Sequence, residues 1–103
     1  MADKYTIWSY LDLDDLLCQL AEEAAELAQA ALKCRRAYGL TKNATPVTGE
    51  EAHKKLLEEV ADVRLCMHIL GHDVGEASEE VEAVMKSKLE RWAGRLAESS
   101  KEG

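Results

Sequence analysis

The 103-residue sequence contains no phenylalanine and a single proline, and only 5% of its residues are aromatic. Cysteine occurs three times, as Cys18, Cys34 and Cys66, without the paired CxxC spacing that is typical of zinc sites and redox motifs. We therefore predict that all three are buried thiols acting as small hydrophobic side chains. The remaining composition, rich in Leu, Ala and Val, is typical of a helical protein.

The sequence also lacks a long hydrophobic run and an excess of positive charge. Its apolar runs are far shorter than the ~20 residues that a membrane-spanning helix requires, and its N-terminus has no basic segment followed by an apolar one. The formal net charge of -7 disfavours binding to a nucleic acid polymer or to an anionic membrane. We expect a cytoplasmic protein whose phosphate-bearing ligands are bound through a bridging cation.

Apolar residues recur at intervals of three and four over residues 13–38, which predicts a first long helix. Residues 39–49 hold the loop-forming residues and the proline, so they are the predicted connection to a second helix. That helix should begin at Thr48, which has the spacing of a capping box with Glu51, and should end at Gly71.

A third long helix should follow, with Asp73 and Glu76 as its capping box and one apolar face that reaches Leu96. Residues 1–12 are apolar enough for a short helical turn packed on the others. The predicted fold is a single domain over residues 1–103, an all-α antiparallel bundle of three to four helices per chain. Its wide apolar faces favour completion of the bundle by oligomerisation into a homodimer or homotetramer.

Acidic residues are concentrated at matching positions on the first two long helices. The first helix contains Glu22, Glu23 and Glu26, and the second contains Glu58, Glu59 and Asp62. Residues three or four apart in a helix point the same way, so Glu23 pairs with Glu26 and Glu59 with Asp62. Both pairs fall beside the apolar stripe of their helix, where a carboxylate that loses water needs a cation or a hydrogen-bond partner.

An antiparallel hairpin would bring the two pairs to the same level. Glu26 lies 12 residues before the predicted end of the first helix at Tyr38, and Glu59 lies 11 residues after Thr48. These nearly equal numbers of residues give nearly equal distances along the two helix axes. Four facing carboxylates would repel one another, and an all-oxygen site suits Mg²⁺, with Mn²⁺ as the other possibility.

The segments LAEEAAELAQAALK and LLEEVADV, with EExxE and ExxD, resemble the signature of the MazG-like all-α nucleotide pyrophosphohydrolases. That superfamily includes dimeric dUTPases, dCTP pyrophosphatases and phosphoribosyl-ATP pyrophosphohydrolases. The resemblance covers about residues 13 to 97. It implies Mg²⁺-dependent hydrolysis of a nucleoside triphosphate between the α and β phosphates, giving a nucleoside monophosphate and pyrophosphate.

The resemblance also implies roles for individual residues. The Mg²⁺ ligands would be Glu23, Glu26, Glu59 and Asp62, and Glu22 would orient or deprotonate the attacking water. On the last helix, the resemblance places Lys88 and Arg91 on the substrate's phosphates. Trp8 is a candidate for stacking on the base, with a core position as its alternative. The segment KLERWAGR carries no base-reading motif, so the base and the sugar stay open.

Two other functions remain. One is the phosphoribosyl-ATP pyrophosphohydrolase of histidine biosynthesis, which the short chain and its acidic hairpin permit. The other is a helical interaction module without catalysis. In that case the acids would form a solvated face and pair with Lys33, Lys54 or Arg64.

Overall fold

The computed structural model describes residues 2–39 and 47–102, and all regular structure in these two ranges is helical. Its helices are α1 (Lys4–Trp8), α2 (Leu13–Ala37), α3 (Gly49–Leu70) and α4 (Glu79–Glu102), with a 3₁₀ turn at Gly71–Val74. This confirms the all-α class. Residues 40–46, most of the predicted connection, lie outside the described residues. The chain divides into two compact units, Met1–Leu70 and Gly71–Gly103.

In the first unit, α2 and α3 pack against each other as an antiparallel hairpin. At one end of the pair, Leu16 lies near Leu65 and Ile69, and at the other end the ring of Tyr38 lies against Gly49. A Cβ atom at position 49 would lie only 2.8 Å from Tyr38 Cε1, so glycine permits this close approach. The buried apolar residues of the pair are few and mostly small: Leu16, Ala30 and Cys34 on α2, and Ala52, Cys66, Ile69 and Leu70 on α3.

The N-terminal segment forms the predicted short helix, and α1 packs on α3. Asp3 caps its N-terminus, since its carboxylate accepts the backbone N–H groups of Tyr5 and Thr6. The indole Nε1 of Trp8 donates a hydrogen bond to the carbonyl of Ile69 at 2.8 Å. Ile69 lies in the last turn of α3, where carbonyls have no α-helical partner, so Trp8 ties α1 to the end of α3.

We predict that Trp8→Phe lowers the free energy of unfolding by about 1 kcal/mol, because the aromatic ring is kept and the hydrogen bond to Ile69 is lost. Urea denaturation monitored by circular dichroism measures the change. Tyr5→Phe, which alters an exposed ring on the same helix, is the control and should leave the midpoint unchanged. Equal midpoints for Trp8→Phe and the wild type would show that this hydrogen bond does not stabilise the fold.

Two of the predicted helix starts are correct and one is wrong. Helix α2 begins after Asp12, and at the start of α3 the N–H of Glu51 donates to the Thr48 hydroxyl at 3.1 Å, as predicted. The predicted capping box of Asp73 and Glu76 does not begin α4. Instead, the N–H of Val81 donates to Ser78 Oγ at 3.1 Å, and α4 begins at Glu79.

Glycine explains the later start of α4. Gly71 and Gly75 have φ of 57° and 65°, in the left-handed region that an α-helix cannot contain. Gly71 is the first residue of the 3₁₀ turn and Gly75 follows its last residue, so the helix can form only beyond Gly75. The prediction of three buried thiols also needs correction, because Cys34 and Cys66 are buried but Cys18 is exposed.

In the second unit, α4 is a 24-residue amphipathic helix whose apolar face is exposed. Met85, Leu89, Trp92 and Leu96 recur every three or four residues and have exposed fractions between 58% and 65%. Within residues 2–39 and 47–102, none of the helices combines the length and the hydropathy needed to cross a membrane.

Candidate divalent-cation site

Three carboxylates meet between α2 and α3, near the middle of the hairpin. Glu23 and Glu26 project from α2 and Glu59 projects from α3, and each offers one oxygen such that all three oxygens lie within 4.8 Å of one another. Opposite ligands of a six-coordinate Mg²⁺ are about 4.2 Å apart, because Mg–O distances are about 2.1 Å. The three oxygens are therefore close enough for one such ion once the side chains adjust.

The register of the hairpin produces this meeting, as the sequence predicted. Counting back from the end of α2 and forward from the start of α3 places Glu26 and Glu59 at the same height, and the two carboxylates are neighbours. Glu23 lies one turn earlier on the same face of α2. The prediction of acids from two helices converging at one level is thus confirmed for three of the four proposed ligands.

Burial separates this cluster from a solvated acidic surface. Glu59 is only 2% exposed, and its Oε2 atom has no hydrogen-bond partner in the described ranges. Glu23 Oε2 is likewise buried without a partner there, while Glu23 Oε1 accepts a hydrogen bond from Gln19 Nε2 at 2.8 Å. A buried carboxylate oxygen without a partner is costly. Both oxygens belong to the cluster, so a bound cation is the partner that would satisfy them.

The charges of the cluster act on one another. The negative charges of Glu23 and then Glu59 raise the pKa of Glu26 above its ordinary value of 4.5. Glu26 therefore holds its proton to higher pH in the metal-free folded protein than in the unfolded chain. Its contribution to stability is fully present below pH 4.5 and is lost as the pH rises through the raised pKa.

We predict that Glu26→Gln makes the metal-free protein more stable than the wild type at pH 7 and leaves the two nearly equal at pH 4. As the pH rises, the wild type loses the contribution of protonated Glu26, whereas the variant has no titratable group at position 26. Thermal melting in EDTA across this pH range measures the difference in melting temperature. A difference that is constant with pH would contradict the assignment of the raised pKa to Glu26.

The remaining predicted acids lie outside this set of three. Asp62 is exposed, one turn further along α3 than Glu59, and lines a cavity together with Glu23. Its role as the fourth ligand stays a prediction. Glu22 is exposed on α2 next to Glu23, and its role toward the attacking water also stays a prediction.

The cavity beside the carboxylates has a volume of about 260 Å³. Its polar side is formed by Gln19, Glu23 and Asp62. Its other walls are mainly apolar and come from the three helices of the first unit and from the segment between α1 and α2: Ile7, Leu11, Leu16, Leu65 and Ile69. The buried thiol of Cys66 also lines it, and burial, with the nearby charges of Glu23 and Asp62, raises the pKa of that thiol. The cavity can therefore accept an apolar, ring-sized group next to the carboxylates.

A second cavity, of about 580 Å³, lies between the start of α1 and the end of α3. Tyr5, Ile7 and His68 are among its lining residues, but none of the three clustered carboxylates is. Its acidic residue, Asp3, already accepts the backbone bonds that cap α1. The smaller cavity is therefore the better candidate for a site that works with the carboxylates.

The predicted substrate contacts fall in both units. Trp8 uses its indole N–H to hold α1 on α3, which accords with the structural alternative for this residue. Lys88 and Arg91 are exposed on α4. Contacts of these three residues with a nucleotide stay predictions.

Two residues of the cluster were not singled out in the sequence. Lys55 Nζ lies 2.8 Å from Glu59 Oε1, and Gln19 donates to Glu23. Both lie four residues before the glutamate that they contact, a spacing that is visible in the sequence. The alternative of a solvated face paired with Lys33, Lys54 or Arg64 does not describe Glu59, which is buried and paired with Lys55.

The donor set fits a hard divalent cation. All three converging ligands are carboxylates, which suit Mg²⁺ and Mn²⁺ better than the softer metals that prefer Cys or His. Two partnerless buried oxygens point to the same cluster. Comparisons of the chain with protein-family models, with curated proteins and with solved structures found no match.

Proposed function

We propose that this chain is a Mg²⁺-dependent nucleotide pyrophosphohydrolase that hydrolyses a nucleoside triphosphate to the monophosphate and pyrophosphate. The observation that carries the proposal is the buried Glu59, which meets Glu23 and Glu26 with one oxygen lacking a partner among the described residues. Burying such a group for stability alone is unfavourable. A cation function explains its presence, and the EExxE and ExxD motifs associate this cation with nucleotide hydrolysis.

Each acidic residue would have its own role in the reaction. Glu23, Glu26 and Glu59 hold the cation, with Asp62 as a fourth ligand from the cavity side. When bound, the cation supplies positive charge that neutralises the phosphate oxygens and the leaving pyrophosphate. Glu22, exposed and adjacent, accepts the proton of the water that attacks phosphorus.

The remaining substrate groups need sites as well. We assign the nucleotide's non-phosphate part to the 260 Å³ cavity, because apolar walls adjoin the carboxylates there. Lys88 and Arg91 supply positive charge for phosphate oxygens that the cation does not reach. These features favour no particular base or sugar in the substrate.

A homodimer or homotetramer is part of the proposal. Large apolar side chains are exposed on α4, and Leu32, Leu57 and Leu65 of the hairpin are also more than half exposed. Exposed apolar surface of this extent marks an interaction site. Light scattering coupled to size-exclusion chromatography should give a mass of two or four chains, and a monomer at micromolar concentration would contradict this part.

A nucleotide panel tests the function directly. Purified protein is incubated with Mg²⁺ and each of the common NTPs, dNTPs and phosphoribosyl-ATP, and pyrophosphate release is measured with and without EDTA. Mg²⁺-dependent release from NTPs or dNTPs supports the proposal, and a strong preference for phosphoribosyl-ATP supports the biosynthetic alternative. No release from any nucleotide would favour the interaction module.

A further inference from the structure

The carboxylate cluster already contains one positive charge. Lys55 Nζ lies 2.8 Å from Glu59 Oε1 and 4.0 Å from Glu58 Oε2. The contact with Glu59 is at charge-assisted hydrogen-bond distance. It neutralises one oxygen of the buried carboxylate and leaves the other, Oε2, without a partner in the structurally described part of the chain.

This ion pair differs from an ordinary pair on a helix surface. Exposed pairs four residues apart stabilise a helix only weakly, because water competes for both groups. Here Glu59 is 2% exposed, so water does not replace Lys55 as its partner. The Lys55 side chain itself is 59% exposed, so its ammonium can move into solvent, or toward Glu58, without opening the core.

We propose that Lys55 is a built-in counter-ion to Glu59 that stabilises the metal-free cluster and weakens the binding of the divalent cation. The inference rests on the proposed cation site. The positive charge of Lys55 offsets part of the negative charge that the carboxylates present to a divalent cation. Lys55 reduces the repulsion among the carboxylates when no cation is bound, and its charge repels an incoming cation.

Lys55 should stabilise the metal-free protein and weaken cation binding. A purely structural role would not produce this opposition. Removal of the charge at position 55 should destabilise the metal-free protein, because Glu59 loses its counter-ion. The same change should strengthen cation binding, because a positive charge is removed from the neighbourhood of a doubly charged ion. A lysine that only supports the helix would affect stability and leave cation affinity unchanged or weaker.

The test compares four variants with the wild type. Lys55→Met removes the charge, and Lys55→Gln removes it while keeping a hydrogen-bond donor, in case the Met variant folds poorly. Lys55→Arg keeps the charge, and Lys54→Met removes the charge of the adjacent exposed lysine. Isothermal titration with Mn²⁺ or Mg²⁺ gives the dissociation constant, and thermal melting in EDTA gives the metal-free stability.

We expect the neutral variants at position 55 to bind the cation about tenfold more tightly than the wild type. They should also melt at lower temperature in EDTA. The Arg variant and Lys54→Met should stay within about twofold of the wild-type dissociation constant. If the wild type binds the cation and the neutral variants bind no more tightly, the role of Lys55 is wrong and the proposed function stands. If the wild type itself shows no saturable binding, both are wrong.

Discussion

Glu59→Gln should reduce magnesium-dependent pyrophosphate release by at least about 10³-fold in kcat/KM, since a bound metal ion contributes several kcal/mol of charge stabilisation in the transition state. Glutamine keeps the size of the side chain and loses the negative charge that the cation requires. The measurement is the rate of pyrophosphate release at saturating Mg²⁺. In EDTA the variant should melt at a temperature at least as high as the wild type, because the repulsion with Glu23 and Glu26 is relieved.

Glu58→Gln is the matched control for this prediction. Glu58 precedes Glu59 on the same helix, its side chain is 58% exposed, and it is not part of the converging set. Its variant should keep activity within a few-fold of the wild type. Equal losses of activity in the two variants would mean that the overall negative charge of α3, and not the buried carboxylate of Glu59, supports the activity.

Glu22→Gln should lower kcat about 10²-fold and leave the cation dissociation constant unchanged, because a general base contributes to proton transfer and not to metal binding. Glu23→Gln should weaken cation binding and activity together. The two residues are adjacent in the sequence, but Glu23 contributes to the converging set and Glu22 is exposed. Isothermal titration with Mn²⁺, combined with steady-state kinetics, separates the two effects.

The opposite pattern would overturn this division of roles. If Glu22→Gln abolishes Mn²⁺ binding, or if Glu23→Gln binds Mn²⁺ as the wild type does, the ligands on α2 are misassigned. Gln19→Ala is a useful companion variant, since it removes the hydrogen bond to Glu23 without removing a carboxylate. It should weaken cation binding only modestly.

The sequence was sufficient to predict the hairpin and most of the cluster because both depend on simple periodicity. Apolar spacing predicts α2 and α3, and nearly equal counts of residues from the loop place Glu26 level with Glu59. Burial of Glu59 followed from its position beside the apolar stripe. These features depend on the helix repeat and on an antiparallel pairing, which short-range sequence patterns specify well.

Features that depend on the direction of a side chain or on unusual backbone torsion angles are harder to predict from the sequence. Glu59 and Asp62 share a face only approximately, and the 60° between them puts Glu59 in the interior and leaves Asp62 exposed at the cavity. The capping-box spacing at Asp73 predicts too early a start for α4, because the positive φ of Gly75 prevents a helix from continuing through it. The spacing of Lys55 and Glu59 is that of a helical ion pair, but it does not by itself indicate that Glu59 is buried.

Anomalous diffraction from crystals grown with Mn²⁺ tests the central claim most directly. The account predicts an anomalous peak about 2.0–2.3 Å from one carboxylate oxygen of each of Glu23, Glu26 and Glu59, at distances normal for a hard divalent ion. At saturating Mn²⁺, a map without a peak between these three side chains would contradict it.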